Sequence, residues 1–231
     1  MEKVRHHSAS VLIVPPQYNQ AIVGVYDSTY PVEVFRGNFL FLGGNGNKDR
    51  SPRAIVEREL NEELSDKASA QETVSQIIGS AHVDPRGMQK EEREYAPKAL
   101  RDELKAAVVA NMNGFGDYLI SVKGESVKKP NDLVYLSSAF IATVDERLFE
   151  EARNQLSQGK QLVNEGLAKI ATLRELEGMN GAWGYATIIR HALSVKTQEH
   201  PFIRTFFLSS KPKESFLEYK VNYEYERDPE K

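Results

Sequence analysis

The chain of 231 residues contains no cysteine. Disulfide staples, thiolate metal sites and a cysteine nucleophile are therefore excluded, and the composition suits a reducing compartment. Any apolar run long enough to span a membrane is missing too. The opening stretch MEKVRHHSASVLIVPP has only a short apolar segment and no cleavage pattern of a secretory signal. These absences lead to the expectation of a cytoplasmic protein with no membrane partner. Charge of one sign is also scarce, since 30 Lys and Arg face 33 Asp and Glu for a net charge of −3. Nothing general then attracts the chain to a polyphosphate backbone. This argues against nucleic acid as a partner and means that an anionic ligand needs a local site or bound cations.

What the chain does have is 40% apolar and 27% charged residues, a mixture that builds a core in a soluble globular protein. Its length suits one substantial core, so a single domain over residues 1–231 is expected. The runs SASVLIVPP, QAIVGVYDS and GNFLFLGG are separated by Pro, Asn and Gly, the punctuation of strands and turns. Next comes SPRAIVERELNEELSD, with Ser51 as N-cap, Pro52 at the first helical position, and Ile55, Val56, Leu60 and Leu64 at helical spacing. Residues 67–132 are irregular and polar, with a helical piece at APKALRDELKAAVVANM and turn signals at NGFGD and KKPND. Strand character returns in LVYLSSAFIATVD, a helix follows in ERLFEEARNQLSQGKQ, then a strand in LAKIATL and a helix through AWGYATIIRHALSV. The alternating tail FLEYKVNYEYE points to one more strand, at an edge or across a subunit boundary.

The chemistry concentrates in the first helix. Residues three and four apart share a helix face, so Glu59, Glu62 and Glu63 project into a common region where three ionised carboxylates repel one another. A hard divalent cation such as Mg²⁺ or Mn²⁺ reverses that balance, because oxygen ligands suit it and it neutralises their repulsion. Gly43 and Gly44 let the preceding loop turn sharply and bring a backbone carbonyl to the same cation.

These residues resemble the signature of the Nudix hydrolases, Gx5Ex7REUxEExGU with U apolar. Gly44 takes the first position and Arg58 to Glu63, RELNEE, takes the core at the required distance. Three positions depart from the pattern: Arg50 stands where the first Glu belongs, Ser65 where the last Gly belongs, and Asp66 where an apolar residue belongs. In the family that first Glu pairs with the signature Arg, here Arg58, leaving Asp49 or Glu57 to compensate. Ser65 makes a left-handed helix end less comfortable than Gly would.

The resemblance implies an α/β/α sandwich with a mixed sheet. Its core would be residues 8–66 and 133–195, with an insertion at 67–132 and a C-terminal strand extension at 196–231. It also implies a metal-dependent hydrolase that cleaves a phosphoanhydride bond in a nucleoside diphosphate linked to another moiety. Gly43, Glu59, Glu62 and Glu63 would hold Mg²⁺ or Mn²⁺, with Arg58 in the catalytic core of the motif. Glu146, Glu150, Glu151 and Glu165 are candidates for a further ligand, with Glu165 preferred because it precedes Gly166. A nucleotide-binding or regulatory module without catalysis is the alternative, supported by the three departures.

Other features read as structural. LRELEG repeats part of the motif without its glycines and is an ordinary helix start, and Trp183 and Tyr185 read as core or subunit contacts. His6 and His7 read as surface residues, while His82, His191 and His200 lack ligand spacing. Leu100, Leu104, Val108 and Val109 in the insertion need a burial partner, either the cleft or a second copy of the chain. Many members of the family are dimers, so a homodimer whose insertion shapes the pocket is expected.

Overall fold

The structure is a computed structural model that describes residues 6–26, 36–46, 51–64, 94–122, 133–164, 166–181, 185, 188–189 and 216–217. Strand β1 (His6–Val14) lies at the heart of its sheet. It runs parallel to β6 (Leu133–Thr143) and antiparallel to both β2 (Gln20–Val25) and β4 (Leu42–Gly46). Beyond β2 lie β3 (Phe39–Leu40) and β7 (Leu167–Thr172). Beyond β6 lie β5 (Met112–Val122) and then β8 (Phe216–Leu217). The main path is β3-β2-β1-β6-β5-β8, with β4 on β1 and β7 on β2.

Both faces of β1 are covered, which is why its second half, Val11–Val14, is continuously apolar. Ala9, Val11 and Ile13 pack towards helices α1 (Pro52–Glu63), α2 (Lys98–Asn111) and α3 (Glu146–Ser157). Leu12 and Val14 pack on the opposite side with α4 (Leu173–Gly178) and the helical residues Tyr185, Ile188 and Ile189. The architecture is thus the expected α/β/α sandwich with a mixed sheet. Helix α1 begins as its sequence requires: the Ser51 hydroxyl accepts from the Ala54 amide at 3.2 Å, and Pro52 occupies the first turn. LRELEG is an ordinary capped helix start, with the Thr172 hydroxyl and the Glu175 carboxylate closing a capping box.

Within residues 98–122 the cover of the apolar stripe and the turn at NGFGD differ from expectation. Leu100, Leu104 and Val108 are buried in one cluster with Ile55, Val56 and Leu60 of α1, Leu64 just beyond its end, and Leu148 and Phe149 of α3, with Val109 packed against that cluster. The partner they need is this chain's own core, so the stripe calls for neither a cleft to cover nor a second copy. The turn expected at NGFGD is also replaced by strand. β5 runs through it with a bulge between Gly114 and Gly116 that turns Phe115 into the core at 3% exposure. Glycines that read as turn punctuation serve here as bulge residues. Residues 67–93 and 123–132, including KKPND, lie outside the described residues, as does most of the tail. Phe216 and Leu217, the first two residues of the expected tail strand, pair antiparallel with Ile120 and Leu119.

Candidate active site

Helix α1 and strand β4 meet through a matched repeat. Four residues of helix rise about 6 Å, and two residues of strand advance nearly the same distance. Ile55, Glu59 and Glu63 therefore form one line along the helix, opposite alternate residues of the strand. A Cβ on Gly46 would lie 2.5 Å from Ile55 Cδ1, and one on Gly44 would lie 2.4 Å from the Glu59 carboxylate. Gly44 is required because Glu59 occupies the space of its side chain. Gly43 and Gly44 thus sit inside a strand, paired with Ser10 and Ala9, and not in the sharp loop their sequence implied. Gly43 has φ +148° and a Cβ there would lie 2.2 Å from the Ala9 carbonyl oxygen, so its glycine is fixed by backbone packing.

Glu59 and Glu63 are buried, at 9% and 5% exposure, whereas Glu62 is partly exposed. Burying carboxylates this way costs several kcal/mol each unless positive charge and donors compensate. Arg58 supplies part of that compensation. Its Nη1 lies 2.8 Å from Glu59 Oε1 and 3.2 Å from Glu62 Oε1, and its Nη2 donates to the Asn45 carbonyl at 2.6 Å. One guanidinium thereby bridges two of the three acidic groups and ties the helix to the glycine strand. Glu57 does not compensate for Arg50 by pairing with Arg58; it pairs with Arg53 at 3.0 Å. Asp49, Arg50, Ser65 and Asp66 lie outside the described residues.

The carboxyl end of α1 is held from outside the helix. Asn164 donates its side-chain amide to the Glu62 carbonyl at 2.8 Å and its backbone amide to the Glu63 carbonyl at 2.9 Å. Arg101 of α2 donates Nη1 to the Leu64 carbonyl at 3.2 Å. Neither residue was among the sequence candidates. Asn164 had one signal, its place just before the Glu165–Gly166 pair, whereas Arg101 had none, because an arginine beside an apolar stripe reads as solvated. Glu165 lies outside the described residues. Its neighbours bring that loop against α1, and Gly166, at φ +63°, could not carry a Cβ without meeting the Val25 carbonyl at 2.6 Å. On α3, Glu150 and Glu151 pair with Arg153 and Arg147 of the same helix, and Glu146 lies in its exposed first turn.

On the far side of the glycine strand, the buried ring of Tyr185 packs on Phe41 with ring centres 4.5 Å apart. Its hydroxyl is pushed up to about 12, chiefly by burial and further by the Glu59 charge, with the Ser10 hydroxyl pulling the other way. Ser10 Oγ is itself buried and makes no well-formed hydrogen bond among the described residues. Tyr185 is thus a core residue, as expected.

His7 is not the surface residue it was expected to be. It is 4% exposed, and its Nε2 lies 3.0 Å from Ser138 Oγ, which donates to Asp117 Oδ1 at 2.6 Å. A hydroxyl has one proton to give, so Ser138 accepts from His7 Nε2–H. Burial holds the imidazole below its ordinary value of 6.5, against the pull of Asp117.

Among the described residues no group of three or more His, Asp or Glu side chains is gathered closely enough to hold a metal ion, and no helix is long and apolar enough to cross a membrane. No protein-family model matches the chain. No curated protein matches it either. Solved structures do resemble it. A mutT/nudix family protein from Listeria innocua is 13% identical, with 86% of this chain and 98% of that one covered at a TM-score of 0.45. A NUDIX hydrolase from Alicyclobacillus acidocaldarius is 11% identical, with 89% and 98% covered at a TM-score of 0.45. The NUDIX domain of Shewanella oneidensis NrtR, solved with ADP ribose, is 12% identical, with 84% and 89% covered at a TM-score of 0.40. All three carry the Nudix name.

Proposed function

We propose that the chain is a divalent-cation-dependent hydrolase of the pyrophosphate bond in a nucleoside diphosphate linked to another moiety. The observation that carries this reading is the fit of the Glu59 carboxylate into the space that Gly44 leaves open. That fit gives the signature's glycine and glutamate a shared physical purpose. The donor set suits Mg²⁺ or Mn²⁺, being carboxylate and carbonyl oxygen with no sulfur. The three carboxylates do not converge on one point as they stand, two of them being held by Arg58, so Glu59, Glu62 and Glu63 would have to turn together to hold the ion with the Gly43 carbonyl, and Glu165 is the further ligand we propose from the loop that Asn164 ties to α1. Such an ion, when bound, neutralises the diphosphate and lowers the pKa of a water.

The chain's own residues do the rest. Arg58 keeps helix and glycine strand in register through the Asn45 carbonyl and is the counter-charge of Glu59 and Glu62, a role that a bound cation would share. The base that takes the proton of the attacking water would be one of the helix glutamates, which the family resemblance favours, or a residue from a later loop. The family resemblance also favours a homodimer, which no longer has the α2 stripe as support.

The test is a panel of nucleotide sugars, ADP-ribose, dinucleoside polyphosphates, CoA derivatives and nucleoside triphosphates, incubated with Mg²⁺ or Mn²⁺ and resolved by mass. Cation-dependent cleavage of a diphosphate linkage supports the reading, and full hydrolysis in excess chelator overturns it. A second reading, a nucleotide-binding module without catalysis, is favoured by Arg58 already bridging Glu59 and Glu62. It predicts tight nucleotide binding with no product in any metal.

A further inference from the structure

We infer that Asn164 and Arg101 are positioning residues for the Glu62 and Glu63 carboxylates, standing in for the glycine that the signature places at position 65. The inference rests on the cation-dependent reading of the same helix. An α-helix leaves its last carbonyls without intrahelical donors, and a C-terminal glycine answers this by turning the chain back on the helix end. This chain has Ser65 there. The carbonyls of three consecutive residues, Glu62, Glu63 and Leu64, accept from Asn164 Nδ2, Asn164 N and Arg101 Nη1.

Both donors are held firmly enough to act as fixed points. Asn164 is 4% exposed and Arg101 5%. The Arg101 guanidinium also donates Nε to the Ala96 carbonyl at 3.2 Å and lies 5.4 Å from the centre of the Tyr95 ring. The two segments that carry them are joined to each other: Ala96 N donates to the Gln161 carbonyl at 2.9 Å, and Gln161 N donates to the Glu94 carbonyl at 2.8 Å. The last turn of α1 is therefore clamped by one connected unit of the chain. Two of the clamped carbonyls belong to the residues whose side chains face the proposed ion. Release of the clamp frays the turn that aims those carboxylates, and groups that hold a metal's ligands in their orientation govern metal affinity as well as stability.

The experiment compares wild type with Asn164→Ala, Arg101→Leu, Arg101→Lys and the double change Asn164→Ala with Ser65→Gly. Three readouts are used: Mn²⁺ binding by calorimetry without substrate, amide exchange over residues 60–64 without metal, and kcat and KM on the best substrate of the panel. The expected result is faster exchange confined to the end of α1, Mn²⁺ affinity weakened about tenfold or more, and a fall in kcat with little change in KM. Arg101→Lys should recover part of the affinity, and Ser65→Gly should restore much of what Asn164→Ala loses. Folded single variants that melt at lower temperature yet bind Mn²⁺ within about twofold of wild type would make both residues merely structural and overturn the inference. If wild type binds Mn²⁺ and the variants lose affinity but no substrate is cleaved, the inference stands and the hydrolase reading falls. If wild type binds no Mn²⁺, both fall.

Discussion

Arg53 and Arg101 cap each other's helices. Arg53, in the first turn of α1, donates to the Val109 and Met112 carbonyls at the end of α2, and Arg101, in the first turn of α2, donates to the Leu64 carbonyl at the end of α1. The two helices are antiparallel, so each arginine places a cation at the negative end of its neighbour's dipole. The segment that looked like an insertion is thereby locked to the helix that bears the acidic motif.

Leu104→Ala should accordingly destabilise the whole protein. Leu104 is fully buried between α1 and α3, and large-to-small changes at such sites cost about 2–5 kcal/mol. Arg53→Ala, at the exposed end of the same contact, should cost only about 0.5–1.5 kcal/mol. Urea unfolding of both variants checks the order. Equal small losses would mean that α2 docks loosely.

Gly44→Ala and Gly43→Ala should fail in different ways. At Gly44 the new Cβ meets a side chain, the Glu59 carboxylate, which can swing aside. The expected result is a folded protein, less stable by about 1–3 kcal/mol, with Mn²⁺ binding largely lost. At Gly43 the obstacle is the Ala9 backbone, and φ is one that only glycine adopts readily, so little folded protein is expected. Circular dichroism and calorimetry separate the two.

Glu62→Gln and Glu63→Gln should each reduce turnover strongly at limiting metal. The amide keeps the shape of the side chain and removes its charge. Loss of the partly exposed Arg58–Glu62 pair should cost only about 0–1 kcal/mol, so the Glu62 variant should melt close to wild type. Wild-type turnover by both variants would place the cation elsewhere.

Acidification should weaken the fold through His7. Above the ordinary value of 6.5 the imidazole is neutral in both folded and unfolded chains. As pH falls below that value the unfolded chain takes up the proton first, because burial holds the folded pKa lower, so stability declines until pH passes the folded value. Asp117 opposes the shift, and His7→Asn should flatten the decline. Urea midpoints at pH 7.5 and 5.5 give the comparison, and identical pH dependence in the variant would exclude His7 as the cause.

The sequence was most informative where local pattern and local cause coincide. Ser51 and Pro52 start α1 by contacts within one turn, so the helix and its acidic face were legible. Gly46 was not, because a glycine facing a helix leaves no apolar alternation to read, and its purpose emerges only when Ile55 is seen in its place. Periodicity announced the apolar face of α2 but could not say what covers it. His7 looked terminal and exposed because the residues that bury it, Ser138 among them, lie 131 positions away.

That separation bears on how the protein is made. One edge of β1 finds β2 and β4 soon after synthesis, since both lie within the first 46 residues. The opposite edge must wait for β6, the parallel partner that ends at Thr143. At ribosomal rates of about 5–20 residues per second, that edge waits on the order of ten seconds for the partner that matches its backbone. A nascent chain stalled before Leu133 should therefore be sensitive to protease and retained by chaperones, and one stalled well after Thr143 should escape both.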